Sequence, residues 1–153
     1  MYKFKFLNKN YLKLIIVSFL MICVSACNND QGRSSCMPRS YVNARYSLNI
    51  PSMAALQNLM GYVVLPPDGT NGGRGLILVN TGTRFLAYDR NAPQICPTAK
   101  STLEVVDDIK VVCPEDGAEW MLTTGMPLNS ATNGVPLYQY AVQQERNFIV
   151  IFN

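Results

Sequence analysis

The sequence contains no histidine. That absence removes the commonest general base and the commonest nitrogen ligand for metals. A Ser-His-Asp triad, a Cys-His pair and the usual zinc-hydrolase sites are excluded with it. Charge is also scarce. Asp, Glu, Lys and Arg make up 15% of the 153 residues, and apolar residues make up 48%. That balance is too apolar for a disordered chain and sufficient for one packed domain. No apolar run reaches the roughly 20 residues that a membrane-spanning helix needs.

The basic charge that is present is unevenly placed. Lys3, Lys5, Lys9 and Lys13 precede every acid in the chain. From Cys27 onward nine basic residues face ten acidic ones, a net charge near −1. Nothing there forms the basic footprint of a nucleic-acid binder. The basic start is followed by an apolar run over residues 14–22 (LIIVSFLMI), broken only by Ser18. The order fits the n-region and core of a signal peptide. Val24-Ser25-Ala26-Cys27 then resembles the lipobox of bacterial lipoproteins: an aliphatic residue, two small residues and a cysteine. The resemblance implies cleavage before Cys27 and diacylglycerol on its sulfur. The mature chain is then anchored through that lipid to a membrane of the cell envelope, facing the periplasm or in the outer membrane. Residues 1–26 are expected to be the signal, and residues 27–40 a polar, flexible tether carrying lipidated Cys27. Residues 41–153 are expected to form one domain.

Period-two patterning dominates that domain. Val42, Ala44, Tyr46, Leu48 and Ile50 alternate with polar residues, as in a strand with one buried face. Residues 53–60 (MAALQNLM) are the best helical stretch, with Ser52 as a possible N-cap. Residues 62–65 are short and apolar, and 66–73 (PPDGTNGG) form a turn-rich loop. Residues 75–80 and 84–88 predict a hairpin about Thr81-Gly82-Thr83. Residues 103–106 and 109–113 predict a second hairpin closed by Asp107-Asp108. Residues 120–122, 138–142 and 148–152 supply three more strands. Many short strands with regular turns predict an all-β antiparallel sandwich or barrel. The acidic residues of these turns do not follow a calcium-loop spacing.

Residues 89–152 carry an ordered series of short motifs. They are Cys96-Pro97-Thr98, then Cys113-Pro114-Glu115-Asp116-Gly117, Trp120, Thr124-Gly125, Pro127-Leu128 and Val135-Pro136-Leu137-Tyr138. The series resembles a Rieske-type iron–sulfur domain. In that family a Cys-x-His loop and a Cys-x-x-His loop, each at a hairpin tip, clasp a [2Fe–2S] cluster. The resemblance places Cys96 and Cys113 on neighbouring loop tips.

Both histidine positions differ here: Thr98 stands at the first and Asp116 at the second. A threonine hydroxyl is a poor iron ligand at neutral pH, and a carboxylate brings negative charge in place of a neutral imidazole. The reading that follows is a Rieske-like domain without its cluster, a non-catalytic structural or interaction module for an unknown envelope protein partner. Two alternatives accompany it. One is electron transfer through a [2Fe–2S] cluster held by Cys96, Cys113, Asp116 and a fourth ligand. The other is a thiol–disulfide redox role for Cys96 and Cys113. In the family the two cysteines share one iron, so without iron the resemblance implies a Cys96–Cys113 disulfide. Cys36 is then the odd cysteine, free or paired between chains.

Overall fold

The computed structural model describes residues 32–38 and 40–153. The signal segment, the lipobox and Cys27 lie outside the described residues. Among the described residues nine strands follow in chain order: β1 (Asn43–Ser47), β2 (Tyr62–Leu65), β3 (Leu76–Asn80), β4 (Phe85–Asp89), β5 (Glu104–Val106), β6 (Lys110–Val112), β7 (Glu119–Met121), β8 (Gln139–Glu145) and β9 (Phe148–Phe152). The fold is all-β and antiparallel, as the period-two patterning predicts. A curled six-stranded sheet runs in the order β1-β9-β8-β4-β3-β2, and a three-stranded sheet runs β5-β6-β7. The small sheet is an insertion between β4 and β8 of the large one.

Strand β3 explains how the layers are held. Its Leu76, Ile77, Leu78 and Val79 are all buried. Successive side chains point to opposite faces of a sheet, so a strand covered on both sides reads as an unbroken apolar run. Ile77 and Val79 join Leu86, Tyr88, Leu103, Val111, Trp120 and Leu122 in the core shared with the small sheet. Leu76 and Leu78 join Val42, Met53, Leu56, Tyr140, Ile149 and Ile151 in a second core on the other face.

The predicted helix is displaced. A 3-10 helix spans Pro51–Gln57, with Ile50 as N-cap and no side-chain cap bond, so Ser52 is not the cap. Pro51 sits at its start, where a missing N–H costs nothing. Met53 and Leu56 are its buried residues, and a spacing of three matches the 3-10 repeat. The helix cannot continue to Met60, because the chain folds back and Gly61 lies against it. A Cβ on Gly61 would come 1.8 Å from the Ala55 carbonyl oxygen.

The compact unit begins at Gly32, not at Tyr41. Residues 32–38 and 40, read from the sequence as part of a flexible tether, are held to the domain. The Ser34 N–H donates to the Pro93 carbonyl at 2.8 Å, and the Arg33 guanidinium lies 4.8 Å from the centre of the Tyr138 ring. Ser40 is fixed at both ends: its carbonyl accepts from Asn153 and its hydroxyl accepts from the Gly73 N–H.

Candidate functional site

The two cysteine loops adjoin. The first leaves β4 and returns at β5, closed at its base by the antiparallel bridge of Asn91 with Thr102 and by the Leu103 N–H donating to Arg90 O at 2.9 Å. Its returning limb is clamped by Arg74, which donates to the Thr98 carbonyl and to the Thr102 hydroxyl. The second loop joins β6 to β7. Cys113 N–H donates to Ala118 O and Gly117 N–H returns to Cys113 O, both at 2.9 Å, with Gly117 at φ 70°. That left-handed residue is what lets so short a loop reverse.

Side chains bridge the loops directly. Thr98 donates from its hydroxyl to Glu115 Oε2 at 3.0 Å. Gln94 donates from Nε2 to Asp116 Oδ2 at 2.8 Å. The other Asp116 oxygen accepts the Ala118 N–H at 3.1 Å. Thr98 and Asp116 are the two positions where the Rieske resemblance expects imidazole ligands, and each instead reaches a protein group across the gap. Burial of the Asp116 carboxyl works to raise its pKa, but the bonds from Gln94 and Ala118, with the nearby Cys113 thiol, hold it below the usual carboxylate value.

The expected Cys96–Cys113 disulfide does not form. Cys96 is bonded to Cys36, with Cα atoms 5.3 Å apart, and Cys113 is a free thiol. The reason lies in which way each sulfur faces. Cys113 has no exposed surface and belongs to the core with Trp120 and Leu103. Cys96 is exposed on the outside of its loop, where exposed Cys36 meets it. The expectation that Cys36 stays free or pairs between chains is corrected by the same bond. Burial pushes the Cys113 thiol pKa up, and Asp116 adds to the effect. Cys113 is thus a protonated core residue, unlike the thiolates of reactive sites.

A [2Fe–2S] cluster asks for two thiolates and two further donors. The Cys96 sulfur is spent in a disulfide, Thr98 donates its hydroxyl to Glu115, and Asp116 is satisfied by Gln94 and Ala118. The residues present do not fit that group. Among the described residues no three His, Cys, Asp or Glu side chains are grouped to hold a metal ion. The chain matches no protein-family model, no curated protein and no solved structure.

Sequence reasoning missed Gln94, Ser34 and Arg33, and nothing in their local pattern marks them. It also missed a buried polar knot beneath the first loop. There Asp89 accepts from the Asn91 N–H and side-chain amide, both at 2.7 Å, and from the Tyr140 hydroxyl. The Asp89-x-Asn91 spacing is that of an Asx-turn and could have signalled it. Burial, reinforced by Asp89, drives the Tyr140 pKa far above the ordinary tyrosine value, so Tyr140 stays a donor.

Proposed function

We propose that this is a lipid-anchored protein of the bacterial cell envelope, with a Rieske-like domain that has no iron–sulfur cluster and serves as a non-catalytic structural or interaction module. The anchor rests on the basic start, the short apolar run and the lipobox ending at Cys27. The Rieske-like reading is supported by the motif series and by two adjoining loops carried on a small inserted sheet. The observation that carries the loss of the cluster is the pair of cross-loop bonds, Thr98 to Glu115 and Gln94 to Asp116. The positions that would ligate an iron now close the gap between the loops.

A membrane protein of this kind keeps the two-loop tip as a shaped surface, with the Glu115 and Asp116 carboxylates engaged across the gap. Its test is analysis of the protein purified from a native-like host. We expect no stoichiometric iron or sulfide, no visible absorption band, a Cys36–Cys96 peptide pair, and Cys113 as a thiol that reacts after denaturation. A brown protein with stoichiometric iron and sulfide would overturn this reading in favour of electron transfer.

A further inference from the structure

We propose that the Cys36–Cys96 disulfide is a thiol–disulfide exchange site, reduced by a dithiol partner, and that its opening releases residues 32–38 as a strap from the side of the first loop. Three observations carry this. Both half-cystines are exposed, whereas Cys113 has no exposed surface. An exposed disulfide is open to in-line attack by a thiolate and belongs to the labile class. Along the strap the Ser34 N–H donates to the Pro93 carbonyl, the Arg33 guanidinium lies over the Tyr138 ring and Gly32 lies against Val135, while the disulfide ties it covalently to the first loop. The chain beyond it is fixed independently, because Ser40 and Val42 bond to Asn153 and Gly73. Opening the bond removes the strap's covalent tie to the first loop and leaves the bonds of Ser40 and Val42 in place.

Ser34 gives the reaction a direction. Its hydroxyl lies 2.8 Å from Cys36 Sγ and 3.6 Å from Cys96 Sγ. Disulfide sulfurs carry no proton, so the hydroxyl is the donor. A donor at Cys36 stabilises the thiolate that leaves there, and a more stable leaving thiolate leaves faster. Attack thus falls on Cys96. The partner's thiolate forms a bond to Cys96 Sγ, the Cys36–Cys96 bond breaks, and its electron pair goes to Cys36, which takes a proton from water. The partner's second thiolate then attacks the mixed disulfide and releases Cys96 as a thiol. The partner leaves oxidised, with two electrons passed to this protein. Release of the strap uncovers the flank formed by Pro93, Val135 and Tyr138.

The site does not depend on lipid at Cys27, and the test keeps the two separate. The full-length protein, as isolated from its host, is treated without denaturant with reduced glutathione as a monothiol probe and with dithiothreitol as a dithiol probe. Peptide mass mapping should find the glutathione adduct on Cys96. Dithiothreitol should open Cys36 and Cys96 to alkylation while Cys113 stays unlabelled. Trypsin should then cut after Arg33 about tenfold faster or more, as the strap's open population rises, with the sheet uncut. Ser34→Ala should slow glutathione attack about tenfold, the worth of one hydrogen bond to a charged sulfur. Cys36→Ser should show fast cleavage after Arg33 without any reductant. Simultaneous labelling of Cys36, Cys96 and Cys113, unchanged cleavage after reduction, or an adduct on Cys36 would each overturn the proposal.

Discussion

Single side chains at the loop tip have separable and measurable effects. Removing the Cys36–Cys96 bond reopens a loop spanning 60 positions of sequence. Chain entropy alone makes such a closure worth about 4 kcal/mol. Cys36→Ser should therefore lower stability by up to about that amount, read as a shift of the urea midpoint. Asp116 has a different signature. Its folded pKa lies below its unfolded value of 3.8, so its contribution is present above that value and is lost as pH falls through the folded one. Asp116→Asn should cost about 1 kcal/mol at neutral pH, the worth of one hydrogen bond, and should remove that part of the acid-induced loss. Urea titrations from neutral to acid pH compare the two proteins, and parallel curves for wild type and variant would refute the assignment. Cys113 behaves oppositely. Its folded pKa is raised above the model-compound value of 9.0, so stability falls as pH rises past that value, and Cys113→Ala should lack this alkaline component.

At the scale of elements, turn chemistry decides how closely the two sheets approach. Gly125 lies between Trp120 and the return to β8, at φ 68°. A Cβ there would stand 2.8 Å from Tyr88 Cε1, inside the core shared by both sheets. The Leu137 N–H donates to its carbonyl at 2.9 Å, so the backbone cannot simply move away. Gly125→Ala should cost about 1–3 kcal/mol through left-handed strain and overpacking. Trp120 is the single tryptophan, buried, with its indole N–H donating to Val135 O at 2.7 Å. Its fluorescence is thus a direct report of unfolding for this and the other variants. The β5–β6 turn offers the reverse change. Asp107 and Asp108 sit at φ 55° and 57°, a conformation that Asn and Gly adopt with less strain. Asp107→Asn should stabilise the protein by about 0.5 kcal/mol, with Asp108 kept because its carboxylate accepts from the Tyr62 hydroxyl at 2.8 Å. A denaturation midpoint that moves down would show that Asp107 contributes something beyond the turn.

The whole molecule sets where any surface can act. Anchorage is the property the proposed function needs first. The mature protein should begin at Cys27 and carry lipid there, with residues 1–26 absent, as seen by mass spectrometry of the membrane fraction. Cys27→Ser should abolish the lipid and release the protein from membranes, while leaving the Cys36–Cys96 bond in place. Retention of an intact Met1 terminus would sink the lipoprotein reading without touching the fold.

The sequence by itself determined the strands. The expected segments at 62–65, 75–80, 84–88, 103–106, 109–113, 120–122, 138–142 and 148–152 each contain one of the strands β2 to β9, or most of it. Those signals are local: alternation over a few residues, bounded by Gly, Asn, Asp and Pro that favour turns. The helix was misplaced because Ser52 and the apolar run have a helical look, while the fold-back at Gly61 depends on a contact with Ala55. Only the tertiary structure decided the site. Cysteine spacing cannot choose between Cys36 and Cys113 as the partner of Cys96, since the choice turns on which sulfur faces the core and which faces water. Thr98 and Asp116 read from sequence as lost ligands. In space they tie one loop to the other, because Glu115 and Gln94, 17 and 22 residues away, stand opposite them. Residues 32–38 read as a polar tether because polar composition says nothing about a disulfide and one backbone bond that hold a segment down. Periodicity is written in neighbours along the chain, whereas pairing across loops is written in neighbours that only the packed sheets create.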